Sequence, residues 1–299
     1  MTRTAAAPAA RRRTRATIPN VLTIAGSDPS GGAGLQGDLK TLAALGVWGC
    51  AVPTALTVQH TRAVQAVWPV PAACVAAQLD ALFDDVAIHA VKVGMLGDAA
   101  VARAVADALG RHRPPHVVLD PVLGASTGGA LLDAGGLDAL RDRLLPLVTL
   151  VTPNAHEAGA LLDAPPPTTA DEAAEAARAL VALGAGAALV TGGHLGDPAE
   201  CVDVLYDGAA VHAVRTPRVP GGGAHGTGCA LASALAALLA HGRPLAAACA
   251  EAQRFVAGAI AAARELRVGS GIAPVHVLGV RARTGSPLEP LGNPARTTG

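Results

Sequence analysis

Short apolar runs alternate with Ala- and Leu-rich stretches of helical spacing along most of the chain. The runs at 21–25, 50–56, 88–93, 116–120, 148–152 and 187–191 predict strands. Between them, 34–45, 72–83, 98–109, 136–145, 155–162 and 170–183 predict helices; in the first, Leu35, Leu39 and Leu42 share one face. Segments 201–206 and 210–215 flank Asp207-Gly208, the pattern of a hairpin. Helices at 227–240 and 245–265 complete the core. Residues 1–18 and 282–299 are rich in Thr, Arg, Pro and Gly and are expected to be tails, which leaves one domain over 19–281. Alternating strands and helices predict an α/β fold with a mostly parallel central sheet and helices on both faces. Several predicted strands end in glycine or polar residues: Gly26-Ser27-Asp28, Gly94, Asp120-Pro121, Asn154 and Gly192-Gly193. Ligands in open α/β sheets bind outside the carboxyl ends of the strands, so these residues mark the expected site.

Composition narrows the function classes. Aromatic residues are 2% of the 299, so the core must be Ala, Val and Leu, and a stacking platform for nucleic acid is excluded. The formal charge is zero, yet Arg3, Arg11, Arg12, Arg13 and Arg15 precede the first acid. The remaining body carries 18 basic against 23 acidic residues, a poor surface for a polyanion. No nucleic-acid partner is expected. The apolar run at 229–240 is shorter than the about 20 residues of a membrane span, and no leader pattern is evident. Five cysteines without a CxxC pair fit free thiols in a reducing cytoplasm.

The strongest local signal is Gly221-Gly222-Gly223-Ala224-His225-Gly226-Thr227-Gly228-Cys229, which runs into an Ala/Leu helix. A glycine loop opening a helix presents main-chain N–H groups and the positive end of the helix dipole to one point, an anion site. It matches neither GxxxxGK[ST] nor GxGxxG. Cys229 falls in the first helical turn, where the thiol is expected below its usual pKa of about 8.5 and able to take a proton from an attacking hydroxyl. The alternative is a small buried hydrophobe.

His225-Gly226-Thr227-Gly228-Cys229 resembles the anion-hole segment of hydroxymethylpyrimidine/phosphomethylpyrimidine kinases, members of the ribokinase-like superfamily. Ala25–Thr41 resembles that family's substrate loop and first helix. Val91-Lys92-Val93-Gly94-Met95-Leu96 resembles its central signature, and Leu119-Asp120-Pro121-Val122 and Thr152-Pro153-Asn154-Ala155-His156-Glu157-Ala158 its nucleotide and metal segments. The resemblance covers about 20–280. It implies a cytoplasmic, usually dimeric enzyme of thiamine biosynthesis that uses ATP and Mg2+. Gly26, Ala33, Asp38, Gln59 and Met95 would hold the pyrimidine, with Asp38 and Gln59 reading its polar edge and Met95 forming a wall. Asn154, Thr191 and Gly193 would contact nucleotide. Asp120 and Glu157 would lie around the metal, and Gly226, Thr227, Gly228 and Cys229 around the moving phosphoryl group. The family commonly has lysine where this chain has Thr191, in Thr191-Gly192-Gly193-His194; phosphate charge must then rest on metal, amides and an arginine. Some pyridoxal kinases share the Cys-bearing pattern, so a vitamin B6 kinase is the nearest alternative; a non-catalytic pyrimidine-binding module is the other. No fused synthase domain and no helix-turn-helix are expected.

Overall fold

The computed structural model describes residues 17–124, 131–195, 199–219 and 225–280. The expected tails therefore lie outside the described residues apart from Thr17 and Ile18, as do Gly221–Ala224 of the glycine loop. Along the chain run β1 (Asn20–Ser27), α1 (Gly34–Ala44), β2 (Trp48–His60), β3 (Ala63–Pro69), α2 (Ala72–Asp85), β4 (Ile88–Val93), α3 (Ala99–His112) and β5 (Val117–Leu119). Then follow α4 (Ala134–Ala139), β6 (Leu150–Val151), α5 (Ala155–Leu162), α6 (Ala170–Ala182), β7 (Ala188–Val190), β8 (Glu200–Tyr206), β9 (Val211–Pro217), α7 (Thr227–Ala240) and α8 (Leu245–Ala262).

One nine-stranded sheet has the order β3-β2-β1-β4-β5-β6-β7-β8-β9. Pairings from β2 through β7 are parallel; β3, β8 and β9 are attached antiparallel at the two edges. The α/β expectation holds, and the chain order reverses between β1 and β4, the switch point where a ligand crevice opens.

Strand alternation builds two cores. Leu22, Ile24, Val91, Val93, Val117 and Leu119 face α2, α3, α5 and α6, while Val21, Ala90, Val118 and Leu189 face α1, α7 and α8. α7 is buried almost all round, with ten of its residues from Ala230 to Leu239 inside, so its N-terminus is fixed against the sheet. Residues Leu245–Glu265, α8 and the turn that follows it, are long and apolar enough to cross a bilayer by length and composition. Instead, Ala248, Cys249, Ala252, Phe255, Val256 and Ala259 pack inside this fold.

Two expectations change. β2 extends past the predicted end at 56 and pairs with β3, a strand absent from the sequence reading. The connecting pair Thr61-Arg62 lacks the Gly or Asn that announces a two-residue hairpin. The helix predicted at 136–145 ends as α4 at Ala139 and continues as a π segment to Leu144, then a 3-10 turn through Pro146, which cannot donate to a helical ladder.

Candidate active site

The site is built where the loop after β1 meets the start of α7. Gly226, the residue before α7, has φ 85°, and a Cβ there would strike the Gly32 carbonyl. Only glycine allows this approach of two backbones. The Gly34 backbone N–H lies beside the Cys229 thiol, a second approach of the same segments. The first-turn amides of α7 have no acceptor within the helix, and no side chain of Gly226 caps them. Gly228 is exposed, and a Cβ on it would lie 3.7 Å from both Asp120 oxygens. An acidic side chain at the end of β5 thus stands beside the positive end of α7.

Below this point lies a sealed charge cluster. Lys92 on β4 donates to Asp38 Oδ2 at 2.9 Å, and both side chains are fully buried. Thr23 Oγ1 donates to the same oxygen at 2.6 Å, and Ser233 Oγ on α7 donates to Oδ1 at 2.8 Å. Asp38 was expected to accept from the pyrimidine edge. In the fold both its oxygens accept from interior donors, and it ties α1 to β1, β4 and α7. Burial alone would lower the Lys92 pKa, but Asp38, Cys229 and Asp120 together hold it above its ordinary value.

The neighbouring groups carry this field. Burial raises the Asp120 carboxyl to about 6, with Lys92 opposing and Asp38 adding to the rise. Burial and the nearby Asp120 push Glu157 up to about 8. Cys229 departs from expectation in sign. Burial, then Asp120 and Asp38, push its thiol up to about 12 despite Lys92, so the helix dipole does not deliver a thiolate. The Asp120 carboxyl lies beside the Cys229 thiol, and its Oδ2 is buried without a hydrogen-bond partner.

That orphaned oxygen tests the fit of a divalent cation. Two neighbouring carboxyls, Asp120 with an unused buried oxygen and Glu157 with its pKa raised by Asp120, suit a cation shared with phosphate oxygens and water. Among the described residues no cluster of three or more His, Cys, Asp or Glu could hold a metal alone, so phosphate would have to complete the shell.

The other predicted residues fall around this centre. Gly26 ends β1 where a Cβ would lie 2.9 Å from Met95 Sδ. Met95 is held by Thr54 Oγ1 donating to its carbonyl at 2.6 Å. Ala33 precedes α1, and its N–H donates to Asp28 Oδ2 at 2.9 Å. Gln59 reaches in from β2, 3.3 Å from the ring of His225. Asn154 caps α5: its side chain accepts from the Glu157 N–H, and Glu157 accepts from the Asn154 N–H at 2.9 Å. Thr191 donates its N–H to Pro153 O beside Asn154, which joins the two nucleotide segments. The Gly192 N–H donates to buried Asp203 at 2.7 Å. Gly193 is exposed, and its carbonyl accepts from Arg218 Nη1 at 2.9 Å. Arg218 also reaches the Leu195 and Glu200 carbonyls, so a guanidinium supports the loop that lacks the lysine.

Sequence reasoning missed Lys92, Asp28, His225 and Arg218. For Lys92 the signal was present: one of only two lysines, between valines in the middle of a buried strand. Asp28, at the end of β1, accepts from Ser30, Gly32, Ala33 and His225. Burial opposes its charge, but these bonds, that of His225 foremost, bring its pKa down to about 2.

A strand-order switch point, an amide-lined helix start and carboxylates suited to a cation are the parts of a phosphotransferase of the ribokinase-like class. The family model described as phosphomethylpyrimidine kinase matches residues 28–276. Over 257 residues the chain is 48% identical to hydroxymethylpyrimidine/phosphomethylpyrimidine kinase of Escherichia coli, which spans 86% of this chain and 96% of that protein. Among solved structures it is similar to an ADP complex of Bacillus subtilis pyridoxal kinase, with a TM-score of 0.81 and 33% identity over 89% of this chain and all of that one. It is also similar to phosphomethylpyrimidine kinase of Clostridium difficile, with a TM-score of 0.71 and 32% identity over 80% of this chain and 97% of that one. The chain belongs to the phosphomethylpyrimidine kinase family.

Proposed function

We propose that this kinase transfers the γ-phosphoryl group of ATP to the hydroxyl of 4-amino-5-hydroxymethyl-2-methylpyrimidine, and a second to the resulting monophosphate, giving the diphosphate used in thiamine biosynthesis. The observation that carries this is the contact of the post-β1 loop with the start of α7, Gly226 on Gly32 and Gly34 on Cys229. That contact supports the reading because it would bring the acceptor hydroxyl and the amides that would hold the moving phosphoryl group to one point. Phosphoryl transfer is mostly positioning and charge stabilisation, and these two parts supply both. Gly26, Ala33, Gln59 and Met95 hold the pyrimidine; Asn154, Thr191 and Gly193 hold the nucleotide.

The hydroxyl oxygen attacks the γ-phosphorus as the bond to the ADP oxygen breaks. Cys229 would take the hydroxyl proton as a thiolate whose own proton has gone to solvent, and burial beside Asp120 makes that form scarce, which limits its contribution. Asp120 and Glu157 would hold Mg2+, which would supply charge neutralisation for the transferred group. Base assistance to a loose transition state is worth roughly 10²-fold, so Cys229→Ala should lower kcat by about that factor and leave the ATP KM unchanged. Unaltered turnover would remove Cys229 from the reaction.

The two raised carboxyls give a pH signature. Protons compete with the cation at Asp120 near pH 6 and at Glu157 near pH 8. Magnesium activation should therefore weaken as pH falls from 8 to 6, by at most about tenfold per unit for each proton displaced. In Glu157→Gln the upper part of that dependence should vanish; an activation constant flat across this range would refute the assignment.

A pyridoxal kinase reading is favoured by one observation, the TM-score of 0.81 with the Bacillus subtilis enzyme. Mass spectrometry of products with ATP, Mg2+ and each alcohol separates them. A pyrimidine diphosphate supports the first reading, and phosphorylated vitamin B6 alone supports the second. We also propose a cytoplasmic homodimer. Leu56 and Trp68 are direct cross-strand partners, 54% and 66% exposed, with Val58 beside them. Neither β2 nor β3 carries a charged side chain to guard that face.

A further inference from the structure

His225 joins four segments. Its backbone bridges to residues 273–275, its ring fills the space left by Gly32, where a Cβ would lie 2.7 Å from Cδ2, and its Nε2 lies between Asp28 and Gln59. Asp28 Oδ2 is 2.9 Å from Nε2 and Gln59 Nε2 is 3.3 Å from it. Asp28 already accepts from the N–H groups of Ser30, Gly32 and Ala33 and from the Ser30 hydroxyl. A carboxylate so placed is an acceptor only, so Nε2 of His225 carries a proton whether the ring is neutral or charged.

The one hydrogen on Nε2 points mainly at Asp28 and the nitrogen has no lone pair left, so the end of Gln59 beside it can only be the acceptor of a shared, three-centre hydrogen bond. The two ends of an amide are told apart only by their partners. The other end is 3.2 Å from Thr57 Oγ1, whose single hydrogen is given to Ser27 O at 2.6 Å. Thr57 can therefore only accept from Gln59. Both neighbours demand the same orientation: amide oxygen toward His225, amide nitrogen toward Thr57.

We propose that His225, held by Asp28, is a positioning residue that fixes the polarity of the Gln59 amide and so sets substrate specificity. This rests on the reading that Gln59 meets the pyrimidine. The fixed amide offers its second lone pair on one side and its second N–H on the other. An amino group beside a ring nitrogen, donor next to acceptor, complements that order. A 4-oxo ring, acceptor next to N–H, presents the reverse and is rejected, because a polar pair mismatched in a closed site loses its hydrogen bonds.

The test compares kcat/KM for the 4-amino-5-hydroxymethylpyrimidine and its 4-oxo analogue in wild type, His225→Leu, His225→Gln, Gln59→Ala and the double variant His225→Leu/Gln59→Ala. With only the long 3.2 Å contact to Thr57 left to orient it, the amide in His225→Leu should lose roughly tenfold in amino-over-oxo selectivity, mostly through KM. His225→Gln keeps an N–H for Asp28 and should retain selectivity, which separates loss of the donor from loss of the fold. In the Gln59→Ala background, His225→Leu should change selectivity no further. If Gln59→Ala lowers selectivity but His225→Leu does not, or if the two effects multiply, the proposal is overturned while the Gln59 reading stands. A Gln59→Ala enzyme with wild-type selectivity would overturn that reading and the proposal with it.

Discussion

Gly226→Ala should lower kcat roughly 10²–10³-fold, the size of losing one preorganised donor to the phosphoryl group. The position has φ 85°, and the new methyl would meet the Gly32 main chain, which cannot rotate aside. The start of α7 and the post-β1 loop must then separate, so amides and acceptor hydroxyl lose their common point. The left-handed backbone costs an alanine about 1–2 kcal/mol, and separating the two segments relieves the collision with Gly32. The melting temperature should thus fall only slightly while turnover collapses. Steady-state kinetics and thermal denaturation on the same preparation read both. Turnover within threefold of wild type would show that the contact does not position the reaction.

This separation of effects follows from where the sequence was legible. The helix start proposed as the anion site has a local signal: glycines, then an apolar helix, with Gly226 and Gly228 at the turn. The alternation of strands and helices was equally local, and the parallel sheet followed from it. What sequence could not give was the meaning of polar residues whose partners lie far along the chain. Asp38 reads as an acid in a first helix near a substrate loop. Its partners are Thr23, Lys92 and Ser233, the last 195 residues away. The Cys229 thiol illustrates the same limit. Its helical position argued for a lowered pKa, but burial beside Asp120 and Asp38 outweighs the dipole. β3 was hidden for another reason, since its turn uses Thr61-Arg62 rather than a residue that favours positive φ.

The largest stability effect should come from Lys92→Met. Methionine fills most of the lysine volume but removes the charge, and Asp38 would remain as a fully buried carboxylate with two hydroxyl donors. Breaking one side of a buried pair costs about 3–5 kcal/mol. For a domain of this size, roughly 2–4 °C per kcal/mol, the melting temperature should drop by roughly 6–20 °C. The double variant Lys92→Met/Asp38→Asn should recover much of that loss. Asparagine is neutral, and its oxygen can still accept from a hydroxyl in the cluster. Recovery in the double variant would show that the uncompensated charge, not the missing ammonium contacts, is what destabilises the single one. The cluster also sets the field felt by Asp120 and Cys229, so the double variant should fold well yet turn over more slowly than wild type. A Lys92→Met protein melting within about 2 °C of wild type would mean that water reaches Asp38, and that the ion pair beneath the anion site is not sealed as the geometry describes.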